Sequence, residues 1–510
     1  MKKRVFAAVV AAAMVVTAFT GCGSTGSSAG SDSKSEAKAE VPTEPFGDTV
    51  KYDPSVELND GKDITVELWE WGSDELFQQI IDGYTAIHPN VTINLVDNPW
   101  EDYWTKLPLA LDGNNGPAIF NVHNSYHENL INYMAPLDIP TEDLEADFNG
   151  VSAHVIDGKV YYIDYGMMTG SVYYNKDMWE KAGLTDDDIP KTWDEMIEVA
   201  KKLTIKDGDK IVQAGLNFND DFHQNYLLGL NYQLGENLFK EDGVTPNVNS
   251  DAMKKVMQML VDMYDVDGIG SKDFGEKAAD SFGQGQSAMV IQWGHYYNTL
   301  KTTWSNIDFG VFEIPTFDGE PYAYNRYNGE STFGVNKNAP ADQQAVAQDF
   351  VKYFLANDDA QIAFNLAMST FPAKKSLADN EKILENPSLK VLSEHIDHYI
   401  WPGPMPATME TSLKKAGEDV FFNGVDIDTA LDEAEANITK DMKNSTFKSV
   451  ENLYEYANKR CREQSAGIRA ERRTWKRVRL SQQKDVYRKD KEDASMFKKQ
   501  IRCRAKARSF

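Results

Sequence analysis

Cysteine is almost missing from this 510-residue chain, which has three, at Cys22, Cys461 and Cys503. The body between the first two therefore has no disulfide framework, and its stability must come from packing. Long apolar runs are missing as well: beyond the first twenty residues no window reaches the ~18 consecutive apolar residues of a spanning helix. Phosphate-cradling loops of the Walker type do not occur. Asp265-Val266-Asp267-Gly268 and Asp186-Asp187-Asp188 lack the loop length and terminal Glu of a calcium hand. No metal and no cofactor is expected. Basic residues are scarce until the very end, with 34 Lys and Arg against 73 Asp and Glu over residues 1–458. An acidic body of net charge −39 lacks the basic stripe that nucleic-acid binding requires, and it favours a self-repelling, soluble protein.

What is present begins with an address. Met1-Lys2-Lys3-Arg4 is a positive n-region, Val5 to about Thr20 a hydrophobic h-region, and Phe19-Thr20-Gly21-Cys22 a small-residue cut site, the build of a secretory signal peptide spanning 1–21. That ending resembles the lipobox of bacterial lipoproteins, with phenylalanine where leucine is usual. The resemblance implies lipidation of Cys22 and a chain held at the extracytoplasmic face of the cytoplasmic membrane. The alternative is an ordinary secreted protein cut near this point. Residues 22–56 begin with Gly, Ser, Lys, Glu and Ala and no large apolar side chain before Val41, a composition too polar to offset its ordering entropy, so they read as a tether. The other end reverses the charge: 459–510 holds 19 Lys and Arg against 6 Asp and Glu. It reads either as an arm for anionic lipid or cell-wall polymer, or as a disordered extension or a segment out of its proper frame.

With 41% hydrophobic and 11% aromatic residues, a chain this long buries a large core and divides into two or more lobes. Ile64 to Trp69 alternates as a strand. Ser73 to His88 places Leu76, Phe77, Ile80, Ile81, Tyr84 and Ile87 on one helical face, with Ser73 as N-cap, and 91–96 is a second strand. Further strands are expected at 160–163, 170–174 and 288–291, and helices at 192–203, 253–264 and 342–355, the first opened by the capping box Thr192-Trp193-Asp194-Glu195. Strands alternating with helices predict a mainly parallel sheet covered on both faces.

Several stretches carry a resemblance: Trp69-Glu70-Trp71-Gly72; His88-Pro89-Asn90-Val91; Tyr173-Tyr174-Asn175-Lys176-Asp177-Met178-Trp179-Glu180-Lys181-Ala182-Gly183-Leu184; Pro190-Lys191-Thr192-Trp193; Gly285-Gln286-Ser287-Ala288-Met289; and Phe350 to Leu355 before Asp359-Ala360-Gln361. Together, over about 60–450, they resemble the family 1 extracellular solute-binding proteins of ABC importers, the group that includes maltose-binding protein. Pro117-Ala118 departs from the family's frequent Pro-Asp. The resemblance implies an α/β, two-lobed periplasmic-binding-protein-like fold with a multi-segment hinge and a ligand cleft between the lobes. It places crossings near 163–170, 314–322 and 370–376, so that lobe 1 holds 57–165 and 320–372 and lobe 2 holds 166–319 and 373–458. Gly166, Gly170, Pro315 and Gly319 suit the first two bends. ATP hydrolysis would then belong to another chain.

A sugar offers an apolar C–H face and a rim of hydroxyls, so its site needs flat aromatic surfaces and polar groups of fixed direction. Open α/β sheets hold ligands at the carboxyl ends of their strands. There stand Trp69 and Trp71, Asn121 and His123 with Asn124, and Trp293, His295 and Tyr296; Trp401 lies in a Pro-rich loop, and Arg326 could fork onto adjacent hydroxyls. Each has a plainer reading, as core tryptophan, surface histidine or structural ion pair; Trp179, Trp193 and Trp304 are assigned to packing. Glu70, Glu101 and Asp102 near aromatics suggest a glycosidase pair, but 73 acidic residues supply such neighbours by chance. The expectation is a monomeric lipoprotein and not an enzyme, which captures an oligosaccharide and hands it to ABC permease subunits. A secreted glycan-acting enzyme and a surface carbohydrate sensor are the rivals.

Overall fold

The computed structural model of the protein describes residues 41–454 apart from positions 73, 114–115, 221, 276 and 319–322. The leader, Cys22, the tether as far as residue 40, the tail 459–510 with Cys461 and Cys503, the N-cap expected at Ser73 and the bend expected at Gly319 lie outside the described residues.

The chain opens β-α-β. In β1 (Ile64–Glu70) every second side chain turns inward, burying Ile64, Val66, Leu68 and Glu70 and leaving Thr65 and Glu67 in water. The stripe Phe77, Ile80, Ile81 and Tyr84 packs α1 (Asp74–Ile87) against that sheet, and β2 (Val91–Asp97) pairs in parallel with β1 from Ile64↔Val91 to Glu70↔Asp97. Next come α2 (Trp100–Leu111), β3 (Ile119–Asn121) parallel to β1, and the short β4 (Met134–Ala135). β5 (Asp164–Met168) and β6 (Gly170–Asn175) follow, separated by Thr169 alone. The strand expected at 160–163 shrinks to Lys159–Val160, because Tyr162 turns its hydroxyl to His127 Nδ1 at 2.9 Å and Asn124 Oδ1 at 3.1 Å instead of joining a ladder.

The capping box forms as expected, with Thr192 Oγ1 accepting the Glu195 amide and Glu195 accepting the Thr192 amide, and it starts α3 (Trp193–Leu203). α4 (Asp251–Asp265), capped by Ser250, buries Met253, Val256, Met257, Leu260 and Met263. β7 (Met289–Trp293) and β8 (Phe309–Phe312) flank β6, both antiparallel to it. β9 (Asn325–Arg326), β10 (Asn328–Ser331) and β11 (Phe333–Asn336) lead to α5 (Ala341–Ala356), and β12 (Phe371–Pro372) and β13 (Tyr399–Ile400) precede the helical pair α6 (Ala407–Asn423) and α7 (Ile427–Met442).

The mainly parallel sheet is only partly realised. The first sheet runs β2-β1-β3-β11-β4, with parallel pairing for its first three strands and antiparallel pairing for β11 against β3 and β4. The second, β7-β6-β8, is antiparallel throughout. The crossover helix Tyr296–Thr302 does make β7 and β8 parallel to each other, as such a connection must. β6 enters between them from the other lobe and runs against both.

Two separate cores make the two lobes. One gathers Val66, Leu68, Ile80, Phe350 and Phe354; the other gathers Trp193, Phe218, Met257, Leu413 and Leu431. Core membership differs from the expected boundaries at two places. Val50 and Tyr52 lie in the first core, where Thr49 and Val50 donate their amides to Asp147, so the segment expected to be tether is packed before residue 56. Ala373, Ile383, Leu389, Leu392 and Tyr399 also belong to that core, so the third passage between cores falls near 400–405, where the chain turns from Trp401 to Met409. Between the lobes β5 pairs with β10 and β12, and β9 lies parallel to β13.

After α7 a strap, residues 443–454, runs back over both lobes. Its Ser445 hydroxyl and Thr446 amide bond Glu128 in the first lobe. Glu451, 1% exposed, accepts from the Leu238 and Phe239 amides and the Tyr232 hydroxyl of the second. The Tyr454 hydroxyl accepts the Trp401 amide at 3.0 Å.

Candidate functional site

The site grows from the end of β3. His123 Nδ1 accepts the Ser125 amide at 3.2 Å, which leaves Nε2 to carry the proton of the neutral ring. Burial pushes the His123 pKa down to about 4, so the ring is a neutral donor at pH 7. Asn124 is buried and fully engaged: its amide donates to Asp164 Oδ1 at 3.1 Å and to the Gly329 carbonyl, while its oxygen accepts from Tyr162. Asp164, at the start of β5, also takes His154 Nε2 at 2.8 Å and the Ser331 hydroxyl at 3.3 Å. Gly329 must stay bare, because a Cβ there would stand 1.9 Å from Asp164 Oδ2.

Above this buried network lies a cavity of about 480 Å³, with walls from both lobes. His123 and Asn124 come from the first lobe; β7 ends on Trp293, and β9 contributes Arg326, whose guanidinium lies 5.6 Å from the Trp293 ring centroid. Arg326 Nη2 donates to Gln224 at 2.8 Å. Trp401 forms another wall, 1% exposed and stacked on Tyr327 at 5.8 Å, with its indole N–H lacking a hydrogen-bond partner among the described residues. Gly150, at φ +76°, lies against this pair: a Cβ there would stand 3.1 Å from the Tyr327 hydroxyl. The first turn of α6 closes the far side with Ala407, Met409 and Glu410. Glu410 is held below the usual carboxylate range, first by its hydrogen bond from His223 and then by His223 and Arg326 charge.

A second cavity, about 180 Å³, opens on the first lobe, walled by Trp71, Phe77, Trp100, Asn121 and Phe364. Trp71, Trp100 and Trp104 form an edge-to-face cluster with centroids 4.9–5.3 Å apart, and Trp104 stacks on Tyr126 at 3.8 Å.

The structure thus brings His123, Trp293, His295, Arg326 and Trp401 around the larger cavity and Trp71, Asn121 and His123 around the smaller. Two residues picked from sequence line neither. Trp69 falls on the outer face of β1, and its indole donates to Glu67 at 2.9 Å. Tyr296 is packed edge-to-face on Tyr173 in the core of the second lobe and donates its hydroxyl to Ala279 O at 2.6 Å. The carboxylates considered as a glycosidase pair line neither cavity: Glu70 is buried, while Glu101 and Asp102 lie exposed on α2. Sequence reasoning passed over Trp100, Gln224, Asn328, Glu330, Met405 and Glu410. Only Trp100 had a local signal, as the first member of a Trp100/Trp104 pair spaced i, i+4 behind Pro99.

The buried titratable groups give stability a definite pH dependence. His123 and His127 are both pushed down to about 4 by burial, below the ordinary ~6.5. The unfolded chain binds more protons there, so stability rises with pH between about 4 and 6.5. Glu330 and Glu313 are pushed up to about 8, mainly by burial. Here the native state binds more protons, so their contribution is full below the unfolded carboxyl pKa and is lost as pH rises through 8. Above about pH 6.5 the histidine contribution is complete while this loss continues, and the melting temperature should fall from there to pH 9. Thermal unfolding of the double variant Glu313→Gln, Glu330→Gln should show a flatter alkaline limb; an unchanged limb would refute the assignment.

A two-lobed α/β body, chain passing repeatedly between the lobes, and a cavity walled by both define a periplasmic binding protein. Residues 79–391 match the family described as bacterial extracellular solute-binding protein, and the chain belongs to it. The galactooligosaccharide-binding protein of Bacillus subtilis (strain 168) is 22% identical over 389 residues, 72% of this chain and 87% of that one. The lactose-binding protein of Rhizobium radiobacter is 25% identical over 310 residues, 58% and 71% of the two chains. Among solved structures, the cyclic alpha-maltosyl-1,6-maltose binding protein from Arthrobacter globiformis superposes with a TM-score of 0.64 at 22% identity, covering 75% of this chain and all of that one; the likeness is one of fold. The role of the chain is to bind a solute, and delivery to an ABC importer follows from the family. Among the described residues no helix is long and apolar enough to cross a membrane.

Proposed function

We propose that the solute is a carbohydrate, of oligosaccharide size, held between the lobes until the closed form docks on an ABC permease. The observation that carries this reading is the pairing of flat aromatic faces with directional polar groups: Trp293 under Arg326, Trp401 in another wall, and the neutral His123 donor. A ring with an apolar face and a hydroxyl rim uses both kinds of wall. The names of the galactooligosaccharide- and lactose-binding relatives point the same way. Ligand that touches both lobes stabilises the closed form by its differential affinity, which is a population shift. Isothermal titration of the secreted body against mono- and oligosaccharides should show binding; silence there, with heat from peptides or polyamines, would move the assignment to another solute.

The same proposal keeps the chain as a monomer on the outer face of the membrane through lipid on Cys22. Its basis is the lysine-arginine start, the apolar run and the cysteine behind small residues. Anchoring raises the effective concentration of loaded protein at the permease. A Cys22→Ser form should still bind glycan but be released from cells, and its retention on the membrane would overturn the anchor.

A further inference from the structure

Of the side chains that line the two cavities, His123 and Glu330 line both. Glu330 sits on β10 opposite Gly166 of β5, between Gly329, which abuts Asp164, and Ser331, which donates to it. The smaller chamber, at about 180 Å³, is close to the ~150 Å³ that accommodates one six-membered ring such as benzene. The larger one, at about 480 Å³, lies in the range of sites for multi-ring ligands. His123 and Glu330 thus stand at the boundary shared by the two chambers, and a ligand that occupies both meets the imidazole and the carboxyl there.

We infer that Glu330 and His123 form a neck that selects neutral glycans of two or more units, seating one terminal unit against Trp71 and Trp100 and the linkage between the two side chains. This deepens the carbohydrate reading and rests on it. The polarity of the neck fits. His123 offers a neutral N–H, and a protonated Glu330 can donate to one hydroxyl and accept from another, whereas an ionised one only accepts. The groups facing Glu330 keep it protonated: burial first, then the charge of Asp164 on β5, against a hydrogen bond from Asn328 on its own strand. Tyr165 on β5 and His123 behind β3 are its other titratable neighbours, and Arg326 and Glu410 stand across the larger chamber. The chamber walls from α1 and α2 contribute Leu76, Phe77 and Trp100, which carry no charge. A uronic acid unit at the neck would set its carboxylate against the charge of Asp164, which already bears on Glu330, with Arg326 taken up by Gln224 and Trp293. Neutral glycans escape that repulsion.

The test is isothermal titration of the whole secreted body with glucose, galactose, lactose, maltotriose, galactobiose and digalacturonate, at pH 7 and pH 9.5. The neutral glycan of two or three units that binds tightest should exceed its monosaccharide by more than tenfold and digalacturonate by more than a hundredfold, and its affinity should drop severalfold at pH 9.5. Glu330→Gln, which keeps the shape and a donor but cannot ionise, should lose the pH 9.5 drop. Glu330→Ala should lose about tenfold, and Trp100→Ala, at the partly exposed end of the chamber, should erase the preference for chain length. Equal affinity for mono- and disaccharides, tight binding of digalacturonate, or a Glu330→Gln profile identical to the parent's overturns the neck and leaves the carbohydrate reading standing. Silence from every glycan overturns the carbohydrate reading and the neck with it.

Discussion

Replacing Trp401 by alanine should lower the unfolding free energy by about 3–5 kcal/mol, the cost of emptying a fully buried aromatic position, and should abolish measurable glycan binding. The side chain is 1% exposed, stacked on Tyr327 and seated over Gly150, while its own amide is held by Tyr454. It belongs to the core and to the wall of the larger cavity at once. Trp401→Phe separates the two roles. It keeps most of the packing but removes the unpaired indole N–H, so urea unfolding should shift by less than half as much, while affinity still falls about tenfold, the ratio that 1.4 kcal/mol represents. If Trp401→Phe binds glycan as the parent does, the indole N–H makes no contact with ligand.

Asp164→Ala should be comparably damaging, at about 3–5 kcal/mol, because removing one member of a buried hydrogen-bonded pair leaves its partners dry and unpaired. His154, Asn124 and Ser331 would each lose an acceptor, and Asn124 lines the cavity. Asp164→Asn is the sharper experiment. It retains volume and one acceptor but deletes the charge that helps hold Glu330 protonated. The apparent Glu330 pKa, read from the alkaline limb of the thermal unfolding profile, should fall below 8. A profile that ends at the parent's pH would mean that burial alone sets the Glu330 pKa.

What could be read from sequence was what neighbours in the chain decide. The alternation of β1, the stripe of α1, the Thr192–Glu195 box and the Met-rich face of α4 are local periods and local caps, and they occur where expected. Strand direction was not local: β6 arrives from the other lobe between two strands running against it, and nothing in Gly170–Asn175 records that. The same divide runs through the site. Trp71 and Trp69 are two residues apart near one strand end, yet Trp71 stands beyond the last paired residue and turns to the cavity, while Trp69 keeps the outward parity of β1. Tyr296 follows His295 directly, but as the first residue of a helix it points into the core. Glu330, Asn328 and Glu410 were not found because their place at the cavity depends on β10 pairing with β5 and on the packing of α6, contacts made across long separations in sequence.

The strap of residues 443–454 has a consequence for the order in which the molecule can be built. The acceptor for the Leu238 and Phe239 amides is Glu451, more than two hundred residues downstream, and the first core needs Tyr399 and Trp401 as well as Val50. Neither lobe is finished by any contiguous early piece of chain, and closures over such separations are slow. A chain emerging N-terminus first, through a ribosome or an export channel, keeps both cores incomplete until its last helices have passed. Lateness of folding is thus written into the topology, and it suits a polypeptide that must remain threadable until it has crossed a membrane.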